Sequence, residues 1–230
     1  MSERVPERGA PRPGDGRGGG LTPAVRRGLL WGLLLTAIGI IALATLENRL
    51  RRAEPAVLPI FGAVPDFTLT NRDGRPVARS DLAGAPWVAD LVFTRCVLVC
   101  PAMSLRMRRL DRELPAAVRL VSFSVDPDYD TPERLAAYAA AHRATDRWLF
   151  LTGDRDAIHR LARDGFKLAV DVVPAGEAPS PGEAIIHSDR FVLVDAEGRI
   201  RGYFDPFDPG ELEKLERAVE ALRRDEGSRR

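Results

Sequence analysis

Apolar and polar residues alternate along this chain with three distinct rhythms. From Gly28 to Leu46 the sequence reads GLLWGLLLTAIGIIALATL, without a charge. That is close to the roughly 20 apolar residues a helix needs to cross a bilayer, and it is apolar on every side, unlike a helix half-buried in a soluble core. The segment predicts a transmembrane anchor. Beyond it the rhythm shortens. Phe67 to Thr70 alternates apolar and polar residues, Asn71 to Gly74 supplies a turn, and Pro76 to Arg79 returns, which predicts a hairpin. Trp87 to Thr94 (WVADLVFT) and Val118 to Val125 (VRLVSFSV) are mainly apolar runs suited to strands buried on both faces.

Helical spacing alternates with these runs. Met103, Met107, Leu110 and Leu114 form one apolar stripe, so Pro101 to Leu114 reads as an amphipathic helix with proline in its first turn. Thr131-Pro132-Glu133 opens a second helix, Trp148 to Leu151 is a third buried strand, and Asp156 to Asp164 is a short helix. Phe191 to Val194 and Ile200 to Phe204 form a hairpin turned by Glu197-Gly198. Asp208-Pro209-Gly210-Glu211 caps a last helix that presents Leu212, Leu215, Val219 and Leu222. Strands alternating with helices, then a hairpin and a terminal helix, predict an α/β domain with a mixed sheet.

Composition sets the surroundings of that domain. Met1 to Pro23 is rich in Arg, Gly and Pro and offers too little apolar surface to offset the entropy of ordering. The expected organisation is a disordered cytoplasmic tail at 1–27, an anchor at 28–46, a linker at 47–62, the domain at 63–224 and a disordered end at 225–230. Arg26 and Arg27 before the anchor favour a cytoplasmic N-terminus and an extracytoplasmic domain; Arg49, Arg51 and Arg52 after it pull the other way. Ala42-Leu43-Ala44 also has the small-residue pattern of a signal-peptide cleavage site, and Arg26-Arg27 is a weak match to a twin-arginine signal. Either route exports the domain. The 34 basic residues are matched by 33 acidic ones, for a net charge of +1, so nothing draws the chain toward nucleic acid.

Only two cysteines are present, Cys96 and Cys100, and both lie at the end of a predicted strand and the start of a predicted helix. The helix dipole and its unpaired N–H groups favour thiolates there, so both cysteines are expected to ionise more readily than usual. Spaced by four, two sulfurs at such a turn can chelate a soft metal or form a disulfide. Two sulfurs do not close a zinc site, and a third ligand is wanted. Of the three histidines, His142 and His159 read as solvated positions on polar helices. His187 follows Ala184-Ile185-Ile186 and the Pro/Gly-rich stretch from Pro174 to Gly182, on an expected loop feeding the strand at Phe191. By position alone, a ligand and a structural histidine are equally good readings of His187.

Three segments in order resemble the Sco/SenC family of thioredoxin-like copper proteins of cytochrome oxidase assembly: FTRCVLVCPAM from Phe93, SVDPDYDTPERL from Ser124 and HSDRFVLVD from His187. The resemblance runs from about Val64 to the last helix. It implies a thioredoxin-like fold on a membrane anchor and a copper site made of Cys96, Cys100 and His187, with Asp126-Pro127 bordering it. It implies copper as cargo, Cu(I) above all with Cu(II) left open. The implied partner is the cytochrome c oxidase subunit that carries the dinuclear CuA centre, with a thiol reductant or another copper chaperone upstream. Val97 stands where many relatives have proline, which leaves the balance between metal holding and disulfide exchange open. The alternative is an extracytoplasmic thiol–disulfide oxidoreductase using Cys96 and Cys100 as its catalytic pair. A disulfide that merely staples the loop is a third reading, weakened because so short a loop constrains the unfolded chain little.

Overall fold

A computed structural model describes residues 23–53, 58–174, 177, 178, 180, 183 and 185–228. The chain falls into two compact units, 1–54 and 55–230. The first contains helix α1 (Pro23–Ala53), of which Pro23–Thr45 is long and apolar enough to cross a membrane. It runs past Leu46 because Glu47 to Ala53 (ENRLRRA) consists mostly of good helix formers, so part of the expected linker is helical. The tail at 1–22 and the linker residues 54–57 lie outside the described residues.

The second unit is built on an eight-stranded mixed sheet. Its strands in chain order are β1 (Gly62–Ala63), β2 (Thr68–Asn71), β3 (Pro76–Ala78), β4 (Trp87–Val92), β5 (Arg119–Ser124) and β6 (Trp148–Thr152). Next come β7 (Val170–Val172) and β8 (Ile185–His187), then β9 (Phe191–Val194) and β10 (Arg199–Phe204). The sheet runs β1-β10-β9-β4-β5-β6-β2-β3, with β4, β5 and β6 parallel and the remaining neighbours antiparallel. Strands β7 and β8 form a separate antiparallel pair. The helices are α2 (Cys100–Glu113), α3 (Pro132–Ala141), α4 (Arg155–Arg160), which continues as a π turn over Leu161–Gly165, and α5 (Pro209–Ser228).

Period-two alternation sorts the strand residues onto two faces. Val88, Leu120 and Leu193 join the apolar side chains of α2, α3 and α5. Ala89, Val121 and Val192 join Ile158, Leu161 and Phe166 on the other face. The predicted hairpin is present: Gly74 takes a positive φ of 79° at its turn, and Asn71 N–H donates to Arg75 O at 2.9 Å. The second hairpin turns at Gly198, where φ is 82° and an added Cβ would stand 2.7 Å from Arg79 Nη1.

Three expectations are corrected. His187 ends a strand and does not lie on a loop, because Val170 to Val172 pairs with Ile185 to His187 in a hairpin around the Pro/Gly-rich stretch. Most of 174–182 lies outside the described residues. Helix α5 continues to Ser228, so 225–228 are helical and not disordered; arginines and acids after Leu222 extend the helix, with an Arg223–Glu220 pair on its side. His159 is buried, and its Nε2 donates to Val125 O at 2.9 Å, tying α4 to the end of β5. His142, by contrast, ends α3 half-buried beside the Tyr138 ring.

Candidate metal centre

Strand β4 ends at Val92, and the loop 93–99 carries the chain into α2. Val99, the residue before the helix, has no side chain able to cap it, so the first-turn N–H groups face the loop unclaimed by a cap. Cys96 sits 7 % exposed within this loop, with its N–H on Phe93 O at 3.2 Å, and Cys100 opens the helix fully buried. The two are free thiols.

The loop is held from below by the segment after β5. Asp130, fully buried, accepts from Thr94 N–H at 3.0 Å, from the Thr94 hydroxyl and from Ser124 Oγ at 2.6 Å. Burial nonetheless leaves the Asp130 carboxyl above its ordinary pKa, against the opposing pull of those donors. Arg95 pairs with the buried Asp126, and its guanidinium lies 4.8 Å from the centre of the Tyr129 ring, whose other neighbour is Arg134 at 3.7 Å. Asp130 thus fixes Thr94 and Asp126 fixes Arg95, the two residues that precede Cys96.

From the β7–β8 hairpin, His187 reaches the same place. Its Nε2 lies 3.2 Å from Cys100 Sγ, across 87 positions of sequence. Its Nδ1 donates to Ser188 O at 3.0 Å, which sets the ring orientation and turns Nε2 toward the sulfur. Phe93 packs edge-on to the imidazole with ring centres 5.7 Å apart. Cys96 feels both neighbours, Cys100 and His187, and each lowers its pKa. The fold thus brings His187 against Cys100, with Cys96 four residues before Cys100 in the loop that leads to it. Among the described residues no group of three or more His, Cys, Asp or Glu side chains stands ready-spaced around a metal position. Two sulfurs and one imidazole nitrogen are a donor set that suits a soft, low-coordinate ion.

The two thiols differ sharply. Hydrogen bonding from Cys100 is the chief cause that lowers the Cys96 pKa to about 4, with His187 and the N–H groups of Cys100 and Leu98 adding to it. Cys100 moves the other way, first because it donates its proton to Cys96 and then because it is buried. The expectation of two readily ionised cysteines is therefore corrected: only Cys96 ionises readily, because two thiolates side by side in a buried site repel.

One residue beneath this centre escaped the sequence reading. Asp90, fully buried in β4, accepts from Ser122 Oγ at 2.6 Å, and Ser122 Oγ in turn accepts from Trp148 Nε1 at 2.9 Å. Its other oxygen has no partner. Burial raises the Asp90 pKa to about 7, opposed by Ser122 and His187. The available signal was a lone carboxylate in WVADLVFT, a run otherwise fit for burial on both faces.

Comparison with known proteins agrees with this architecture. Residues 61–223 match the SCO1/SenC family model. The chain is 38 % identical over 147 residues to the SCO1 protein homolog of Bacillus subtilis, covering 62 % of this chain and 73 % of that protein. It is 32 % identical over 200 residues to a putative copper-binding protein of Stutzerimonas stutzeri, covering 85 % and 93 % respectively. Among solved structures, a SCO1/SenC family lipoprotein of Bacillus anthracis superposes with a TM-score of 0.62 at 33 % identity, covering 70 % of this chain and 95 % of that one. BsSco, described as a cytochrome c oxidase assembly protein with a disulfide switch, superposes with a TM-score of 0.61 at 32 % identity, covering 72 % and 96 %. The fold is the thioredoxin-like fold of these proteins, and the chain belongs to the SCO1/SenC family.

Proposed function

We propose that this protein is a membrane-anchored copper carrier that holds one copper ion through Cys96, Cys100 and His187 and delivers it to the CuA centre of a cytochrome c oxidase subunit. The observation that carries the reading is the meeting of His187 Nε2 with Cys100 Sγ at 3.2 Å, beside the readily ionised Cys96. Two thiols and an imidazole favour Cu(I), the Nδ1 bond to Ser188 O leaves Nε2 as the donor atom, and a three-ligand site is open to ligand exchange with an acceptor's thiols. Family membership and the copper-binding relative support the cargo. Helix α1 serves as a retained anchor in the inner membrane, with the 63–224 domain in the periplasm; cleavage after Ala44 would remove the anchor but leave the domain in the same compartment.

The test is calorimetric titration of the reduced protein with Cu(I). One ion per chain is expected, with a large loss of affinity in His187→Ala. A different stoichiometry or an unchanged affinity in that variant would overturn the reading.

A second reading has its own support. Cys96 ionises readily while Cys100 is buried and protonated beside it, the arrangement of an attacking and a resolving thiol. In that reaction Cys96 thiolate attacks a partner disulfide, Cys100 then displaces the partner from Cys96 as its proton leaves, and the partner departs as a dithiol. His187→Ala separates the two, since it removes a copper ligand and leaves both sulfurs in place.

A further inference from the structure

Helix α2 carries an excess of positive charge on its outer face. Its two acids are engaged: the buried Asp111 holds Arg147 at 2.9 Å, and Glu113 holds Arg109 at 2.7 Å. Arg108 and Arg112 are left one turn apart, a spacing at which like charges destabilise a helix. Arg143 joins them from the end of α3, which Tyr138 ties to α2: its hydroxyl lies 2.7 Å from Ser104 Oγ and its ring packs on His142. Desolvation, and then the charges of Arg112 and Arg143, hold Arg108 below its ordinary pKa; burial, and then Arg108, do the same to His142. Arg112 and Arg143 are exposed, and among the described residues no acid pairs with any of the three arginines.

The place of these arginines gives them a partner. Cys100 is the first residue of α2, and Leu105, Arg108 and Arg112 follow on one stripe of the same helix, about 8 to 18 Å along its axis. A protein footprint of about 800 Å², roughly 30 Å across, that reaches the cysteine end of α2 therefore covers the stripe as well. An acceptor must be turned so that its thiols face Cys96 and Cys100, and opposite charge beside the site supplies that orientation. Leu105, 56 % exposed, offers a folded partner apolar surface to bury on the same stripe. We propose that Arg108, Arg112 and Arg143, together with Leu105, form a docking patch for a folded acceptor protein that carries carboxylates beside its copper-receiving thiols. The patch rests on the copper-delivery reading and deepens it by stating the surface chemistry of the acceptor. Because its charges are exposed and of one sign, docking there weakens as salt rises.

The test uses the full chain loaded with Cu(I), in detergent and in nanodiscs of anionic phosphatidylglycerol, and the triple variant Arg108→Gln, Arg112→Gln, Arg143→Gln. The second-order rate of copper transfer is measured to the reduced, copper-free soluble domain of a CuA-bearing oxidase subunit and, separately, to a small uncharged dithiol chelator. Arg112→Gln alone is compared with Arg106→Gln, which removes the same charge about 120° around α2. The patch predicts transfer to the subunit about tenfold slower in the triple variant at low salt. Salt should bring the unsubstituted chain down toward the variant, whose own rate should change little. Transfer to the chelator should be the same in both, and Arg106→Gln should behave as the unsubstituted chain. Equal low-salt rates to the subunit would overturn the patch and leave the delivery reading standing. Slowing by Arg106→Gln as large as that by Arg112→Gln would overturn it in favour of net charge, and equal slowing to subunit and chelator would overturn it as damage to the metal centre. A defect present in nanodiscs and absent in detergent would assign the arginines to lipid headgroups and overturn the proposed partner. Failure of the unsubstituted chain to transfer copper to the subunit at all would overturn the delivery reading and the patch with it.

Discussion

Replacing Asp90 by Asn isolates the electrostatic cost of a carboxyl buried with one oxygen unpartnered. The carboxyl is fully buried, one oxygen accepts from Ser122, the other has no partner, and burial raises its pKa from 3.8 to about 7. In the unfolded chain it ionises near its ordinary value, so folding favours the protonated form. Its contribution to stability is intact below the unfolded pKa and is lost as pH rises through the folded one. The lost stability grows to about 2 kcal/mol near pH 5 and about 4 kcal/mol near pH 9. Asn keeps an acceptor for Ser122 but buries an amide, a pH-independent cost of about 1–3 kcal/mol. The informative quantity is therefore the difference between variant and wild type as a function of pH. Urea unfolding of the soluble 55–230 fragment should show Asp90→Asn gaining about 2–3 kcal/mol on the wild type between pH 5 and pH 9. A difference that stays flat across that range would refute the buried-charge account.

Cys100→Ala removes the thiol donor that chiefly lowers Cys96, so the pH midpoint for alkylation of Cys96 by iodoacetamide should move upward; an unchanged midpoint would mean that the helix start alone activates it. In the wild type, alkylation should fall on Cys96 well before Cys100, which peptide mapping resolves. Asp111→Asn should destabilise the domain by about 3 kcal/mol in the same unfolding assay, because the buried Asp111 holds Arg147 at 2.9 Å and Thr145 N–H at 3.0 Å, and Arg147 in turn caps the carbonyls of Leu114 and Pro115 at the end of α2.

The sequence carried the sheet well where burial leaves a composition signal. WVADLVFT, VRLVSFSV and FVLV are apolar, β-leaning runs, and β4, β5 and β9 lie within them. Short pairing carried no such signal: β7 and β8 are three residues each and bracket a Pro/Gly-rich stretch, so His187 read as a loop residue. His159 read as solvated because its helix is polar on average, whereas its burial depends on the end of β5 passing over it. Ionisation was legible only in part. The position of Cys96 and Cys100 at a strand end told of reactive sulfur, but which of the two ionises depends on their mutual hydrogen bond, a tertiary fact. The same is true of His187, which only the resemblance linked to the cysteines before the 3.2 Å contact was seen.

The ligand set is the centre of the account, and X-ray absorption at the copper edge of the Cu(I)-loaded, reduced protein tests it most directly. Two sulfur neighbours and one imidazole nitrogen are predicted, with the nitrogen shell absent in His187→Ala. A sulfur-only first shell in the wild type, or a spectrum that His187→Ala leaves unchanged, would contradict it.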